Sequence, residues 1–265
     1  MLTPRKIARY GWQPDLPDNR DFAYALKQRQ QLPTKIDLTK QCPPVYNQSN
    51  LGSCTANAIG AAFEFGQMKQ NLPTVFMPSR LFIYYNERVI EKSVATDSGA
   101  QIRDGIKTVH KQGVCPETIW PYDINKFANK PLASAYKNAL ANQLLNYSRL
   151  PRDINHFKAC LAEGYPFVFG FTVYDAFESD TVAATGKLNM PKKNESVIGG
   201  HAVMAVGYND ATQRFIIRNS WGNGWGKKGY FTMPYDYLLS ENLSDDFWTM
   251  RLVEVSTAAK TKKKK

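Results

Sequence analysis

The residues of this 265-residue chain best placed to do chemistry are a thiol, Cys54, and an imidazole, His201. Cys54 ends the run Gln48-Ser-Asn-Leu-Gly-Ser-Cys54, and the apolar residues after it, Ala58, Ile59, Ala62, Phe63 and Phe65, recur at helical spacing. That spacing puts the thiol on the first turn of a helix, with Ser53 placed to cap it. The positive end of the helix dipole there favours thiolate, the nucleophilic form. Gly52 lets the backbone approach closely just before it. A lone cysteine is ordinarily a small buried apolar residue, and a lone histidine an ordinary structural one. For His201 the register argues otherwise. If His201 to Tyr208 and Arg214 to Asn219 form a hairpin turning over Asn209 to Thr212, Val203 faces Ile217, Ala205 faces Phe215 and His201 faces Asn219. Opposed residues stand about 4.5–5.5 Å apart, within reach for an amide to hold an imidazole.

The other thiols and imidazoles read as structural. Cys160 falls on the apolar face of a helix with Ile154, Phe157 and Leu161, so it is expected to be an inert core thiol. Cys42 and Cys115 each precede a proline in loop-like text and are compatible with one disulfide or two free thiols. His110 sits late in an amphipathic helix and faces solvent. No C-x-x-C pair occurs and only His156 lies near a cysteine, so no metal and no organic cofactor is expected.

The elements that must position these residues change character along the chain. Residues 1–34 read as a Pro-rich, irregular arm with a short helix before Pro33, and the segment from Ile36 to Ser53 reads as a loop. Helices are expected from Cys54 to near Gly66, over Ser79–Lys92, over Ile102–Gln112 ending on Gly113, over Leu132–Asn146 and around Asp153–Ala162. Strands follow at Phe167–Val173, Ala202–Tyr208, Arg214–Arg218 and Gly229–Met233. Helices first and antiparallel strands second make an α+β chain with a cleft where the halves meet. The expected boundaries are an arm over 1–34, a body over 35–257 and a lysine-rich tail over 258–265.

Composition narrows the function classes. A hydrophobic content of 43% with 12% aromatics excludes disorder of the whole chain. The net charge of +11 includes five lysines among the last six residues, and no basic stripe interleaved with aromatics points to nucleic acid. No apolar run is long enough to span a membrane, so no membrane insertion is expected. The start, Met1-Leu-Thr-Pro-Arg-Lys6, lacks the apolar run of a signal peptide. The expectation is a secreted or extracytoplasmic monomer, with the signal peptide absent from this chain.

Three blocks together, Gln48-Ser-Asn-Leu-Gly-Ser-Cys54, His201-Ala-Val-Met-Ala-Val-Gly-Tyr208 and Asn219-Ser-Trp-Gly-Asn-Gly-Trp-Gly226 with Gly229-Tyr230, make the chain resemble a papain-like cysteine protease of the C1 peptidase family, over roughly residues 36–255. The resemblance implies a two-lobed fold, with a mainly helical N-terminal lobe, an antiparallel β-barrel-like C-terminal lobe and an active-site cleft between them. It implies a cysteine endopeptidase in which Cys54 is the nucleophile, His201 the general base and later acid, Asn219 the orienting amide and Gln48 the oxyanion donor. Trp221 would shield the His201–Asn219 bond, Gly99 and Ala100 would lie along the substrate backbone, and Ala202 would border the pocket for the side chain two residues before the cut. The alternatives are an acyltransferase or transamidase on the same pair, or a silent relative that only binds peptide.

The departures from the family pattern point to a bacterial branch. Leu51 stands where a cysteine usually precedes the nucleophile by three residues, so that disulfide is absent. Thr55 replaces the usual aromatic, and Asp97-Ser-Gly-Ala100 replaces Cys-x-Gly-Gly. The expected partner is a protein or peptide substrate. Residues 1–34, carrying Gly11-Trp12 and the prolines around Asp15, are expected to lie along the groove and inhibit in cis, which makes the chain a zymogen.

Overall fold

The computed structural model describes residues 10–25 and 31–253; the expected helix before Pro33 and the lysine tail fall largely or wholly outside them. The described chain begins with β1 (Trp12–Gln13) and β2 (Lys35–Asp37). A helical part follows, α1 (Cys54–Lys69), α2 (Arg80–Ile90), β3 (Ala100–Gln101), α3 (Ile102–Gln112) and α4 (Ala133–Ala139). The remainder is β4 (Leu144–Arg149), α5 (Ile154–Ala162), β5 (Phe167–Tyr174), α6 (Asp180–Thr185), β6 (Val197–Asn209), β7 (Arg214–Arg218), β8 (Tyr230–Pro234), α7 (Tyr235–Leu239) and β9 (Ser244–Val253). The α+β expectation holds, with helices ahead of a seven-stranded sheet ordered β4-β9-β5-β6-β7-β8, β2 also pairing with β6.

α1 is buried along nearly its whole length between α2, α3 and the sheet. Its small residues Ala58, Gly60, Ala61 and Ala62 permit that close approach on several sides. α3 comes equally near, since a Cβ on Gly105 would meet Ile59 Cδ1 at 2.4 Å. The helix ends obey local chemistry. Ser79 Oγ accepts from Phe82 N (3.1 Å), Asp153 Oδ1 accepts from the backbone N–H groups of Asn155 and His156 (3.0 Å each), and Gly113 stops α3 at φ 74°. In the sheet half, the aromatics Phe157, Phe167, Phe169 and Phe247 form the core, with Phe157 and Phe247 centroids 4.5 Å apart.

Four expectations need correction. Ser53 is the residue before α1, but its side chain makes no capping bond; its hydroxyl meets Tyr122 Oη at 2.5 Å and accepts from Asn57 Nδ2 instead. α1 runs through Gly66 to Lys69, because a single glycine inside a buried helix lowers its propensity without ending it. The helix expected over Leu132–Asn146 stops at Ala139, and Leu144 already belongs to β4, whose ladder partner is β9. The β6–β7 register is also shifted. Ala205 faces Ile217, Tyr208 faces Phe215 and Asn209 faces Arg214, with an irregularity between Ala205 and Gly207. The turn falls at Asp210–Gln213, one residue later than expected, shaped by Asn209 Oδ1 accepting from Ala211 N (3.0 Å) and by Gln213 at φ 51°. Asn219 therefore lies past the end of β7 rather than opposite His201.

Candidate active site

Cys54 is the first residue of α1, so its thiol sits where the backbone N–H groups of a helix N-terminus have no intrahelical partner. The N–H groups of Ala202 and Gly11 also point at Sγ. These donors favour thiolate, but complete burial outweighs them and pushes the thiol up to about 12. His201, early in β6, is equally buried, and burial pulls its imidazole down to about 4 against the opposing pull of Asn219.

The imidazole is oriented despite the shifted register. His201 Nε2 and Asn219 Oδ1 are 2.8 Å apart, and Asn219 Oδ1 also accepts from Ser220 N at 2.8 Å. With Nε2 donating to that carbonyl, Nδ1 is the basic nitrogen, and it has no hydrogen-bond partner among the described residues. Trp221 lies beside the ring, centroids 5.3 Å apart and planes 35° apart. Gln48 is fully buried; its Oε1 accepts from Ser220 Oγ (2.6 Å) and its Nε2 donates to Leu51 O (3.0 Å). Ser220 thus ties Gln48 to Asn219, a link that the sequence reading missed because it joins the loop before α1 to the loop after β7.

The arm lies across all of this. Tyr10 packs on His201 (centroids 5.8 Å) and Trp221 (6.3 Å), its hydroxyl donating to Glu178 Oε1 at 2.6 Å. Gly11 O accepts from Ala100 N at 2.7 Å, and Trp12 and Gln13 continue as a strand parallel to Ala100 and Gln101. Gly11 fits because it has no side chain; a Cβ there would stand 1.7 Å from Gly52 O. Gly99, at φ 77°, gives the same clearance from the other side, its Cβ position lying 2.1 Å from Gly11 O. The Trp12 indole fills the space that Cβ atoms on Gly170 and Gly200 would take. Ala202 stands opposite Gly170 in the ladder, two residues from Gly200 and on its face of β6. Gly99, Ala100, Ala202 and Trp221 therefore all border the groove occupied by the arm.

Two departures in the sequence have structural counterparts. Asp97 accepts from Gly52 N (3.0 and 3.1 Å) and from the Tyr84 hydroxyl, tying the loop before Cys54 to the loop before β3. Thr55 donates to Glu87 Oε1 at 2.6 Å, and burial holds the Glu87 carboxyl well above the usual range. Cys42, Cys54, Cys115 and Cys160 are all free thiols, so Cys42 and Cys115 do not pair, and Cys160 is buried as expected. His110 Nδ1 contacts Leu144 O (2.6 Å) and so belongs to a structural contact between α3 and β4. Among the described residues no group of His, Cys, Asp or Glu could hold a metal ion.

Residues 32–241 match the papain family cysteine proteases. An uncharacterised peptidase C1-like protein of Acanthamoeba polyphaga mimivirus is 50% identical over 227 residues, 83% of this chain and 73% of that protein. Peptidase 1 of Dermatophagoides pteronyssinus is 26% identical over 219 residues, and the chain spans 64% of its length. Among solved structures, xylellain, a cysteine protease from Xylella fastidiosa, matches at a TM-score of 0.87 and 47% identity, over 96% of this chain and 100% of that one. A digestive procathepsin L from Tenebrio molitor, 18% identical with a TM-score of 0.68 over 88% of this chain and 75% of that one, shares the fold.

Proposed function

The chain belongs to the papain family of cysteine proteases, and we propose that it hydrolyses peptide bonds through an acyl-thioester on Cys54. The observation that carries this assignment is the 2.8 Å His201 Nε2–Asn219 Oδ1 contact, which leaves Nδ1 free to act as the base. His201 Nδ1 takes the thiol proton and Sγ attacks the carbonyl carbon. The oxyanion is held by the Gln48 side-chain amide and the Cys54 N–H. Collapse breaks the C–N bond, and His201 returns the proton to the leaving amine. Water then attacks the thioester, with His201 again taking a proton, and releases the acid and the thiol. Ala100 N, which now holds Gly11 O, would hold a substrate carbonyl, while Ala202 borders the neighbouring pocket and Trp221 keeps water from the orienting bond.

The arm supports a latent resting state. Gly11 O is held by Ala100 N and Tyr10 packs on the His201 ring, so the arm occupies the groove where a substrate would lie. In the full chain, Gly11→Leu cannot seat the arm against Gly52 and is expected to cleave a fluorogenic peptide amide at least tenfold faster than the unaltered chain. Adding Cys54→Ala to that variant should remove the cleavage. A Gly11→Leu chain that is folded and no faster shows the arm to be a strap, and residual turnover without the thiol removes Cys54 from the mechanism.

A further inference from the structure

Asp246 and Tyr122 both stand outside the mechanism above, yet each touches a segment at the groove. Asp246 serves the docked arm, its Oδ2 accepting from Trp12 Nε1 (3.0 Å) and Asp15 N (2.8 Å). Tyr122 instead serves the loop that carries the reacting groups. Its hydroxyl donates to Gln48 O at 2.9 Å, and Ser53 Oγ stands 2.5 Å from it. With its own proton on Gln48 O, Tyr122 Oη accepts from Ser53, whose oxygen in turn accepts from Asn57 Nδ2 at 3.1 Å. One hydroxyl thus joins the residue that bears the oxyanion amide to the residue that precedes the Cys54 N–H. That commitment explains why the Ser53 side chain makes no capping bond at α1.

The loop needs such a tie. Residues 48–53 form neither helix nor strand, Ser49 stands at φ 54°, and their own closing bond, Leu51 N to Gln48 O, is long at 3.4 Å. Tyr122 is by contrast held firmly. The Arg80 guanidinium lies over its ring, 4.0 Å from the centroid, and is itself fixed by two bonds to Glu117 at 2.6 and 2.8 Å. Arg80 Nη1 also donates to Asn47 O (3.1 Å), so α2 and the loop after α3 grip the peptide groups on both sides of Gln48. Burial holds the Tyr122 hydroxyl above its ordinary value, so it keeps the proton it donates.

Building on the peptidase assignment, we propose that Tyr122 is a positioning residue for oxyanion stabilisation, its hydroxyl setting the spacing between the Gln48 amide and the Cys54 N–H. Such donors act when they stand about 2.7–3.1 Å from the developing charge, and a displacement of about 1 Å can cost roughly 10²-fold in rate. The proton transfers between Cys54 and His201 do not pass through Tyr122. Its hydroxyl bonds to Gln48 and Ser53, and among the described residues it has no bond to Cys54, His201 or Asn219.

The test compares the full-length Gly11→Leu chain with and without Tyr122→Phe, which keeps the ring under Arg80 and removes only the hydroxyl. On one fluorogenic peptide amide kcat should fall about tenfold with KM within about twofold. Alkylation of Cys54 by iodoacetamide, which needs the thiolate but forms no oxyanion, should keep its rate within about twofold. In a Gln48→Ala background the hydroxyl has less to position, so Tyr122→Phe should there lower kcat by less than about threefold. An unchanged kcat, a KM-only effect, or a loss undiminished in Gln48→Ala overturns the role of Tyr122 and leaves the peptidase assignment standing. A parallel fall in alkylation also overturns it, since the loss then lies with the thiol or with the fold. If the Gly11→Leu chain with Tyr122 intact cleaves no peptide, the peptidase assignment falls and the role of Tyr122 falls with it.

Discussion

Gln48 has a limited repertoire, because most of its amide is already committed to neighbours. Ser220 Oγ fixes Oε1 and Leu51 O takes one N–H, which leaves the second N–H for charge that develops on a substrate oxygen. Gln48→Ala in the Gly11→Leu chain should therefore lower kcat by roughly 10²–10³ with little change in KM. Ser220→Ala should do less, since it only loosens the amide. Steady-state kinetics on one peptide decides this, and a KM-only effect of Gln48→Ala counts against an oxyanion role. Cys54, His201, Asn219 and Gln48 were legible in the sequence because short runs around each of them carry the pattern. Ser220, Asp97 and Asp246 were not, because each acts through a contact that joins distant segments, and no local spacing records it. Asn219 was reached from a wrong register: the turn lay one residue later and β6 bulged, yet the amide still meets the ring from the loop after β7.

Between elements, a hydrogen-bonded tie stands where the family pattern has cysteines. Leu51 and Asp97 occupy the two cysteine positions, and Asp97 holds Gly52 N and the Tyr84 hydroxyl while Tyr84 Oη accepts from Gly99 N at 3.2 Å. One carboxylate thus fixes the loop before α1 against the loop before β3, the two backbones that flank the groove. Asp97→Ala orphans the Gly52 N–H and the Tyr84 hydroxyl and should cost about 1–3 kcal/mol, read by denaturant unfolding. Asp97→Asn keeps an acceptor and should cost less; equal losses in the two variants would mean that the tie depends on charge rather than on hydrogen bonds. The helices α1, α2, α3 and α5 were readable from periodicity and caps. β9 was not, because its first residues are polar and its bulge breaks the alternation that marks a strand. The pairing of β1 with β3 joins segments 88 residues apart through two residues each, too little for any pattern to register.

Across the whole molecule the arm is a clasp between the helical part and the sheet, and its docking carries a proton linkage. Trp12 pairs with β3 but packs on β5 and β6, Asp15 accepts from Arg103 N (3.0 Å) on α3 and from Trp248 Nε1 (2.9 Å) on β9, and Asp21 pairs with Arg103 at 2.5 Å and faces Arg149. Four carboxyls in this contact are held above the ordinary range, with burial the largest cause in each. Asp246 and Glu91 reach about 7, and Asp15 and Asp104 move in the same direction. Asp18 is depressed, chiefly by Arg20 on the arm itself, a bond that release does not break. Releasing the arm returns the raised carboxyls towards water and their usual value of about 4, so the docked state binds more protons than the open one. Docking is therefore firmest below that value and weakens as pH rises through about 7. The measurement is the alkylation rate of Cys54 by iodoacetamide, followed by peptide mass spectrometry, in the full chain divided by the rate in Gly11→Leu. Taking the ratio removes the pH dependence of thiol ionisation common to both chains. It should climb between pH 5 and pH 8, and Asp246→Asn, which cannot titrate, should flatten the climb. A ratio that stays level or falls over that range would show that the arm is held by packing and ion pairs alone, with no proton taken up on docking.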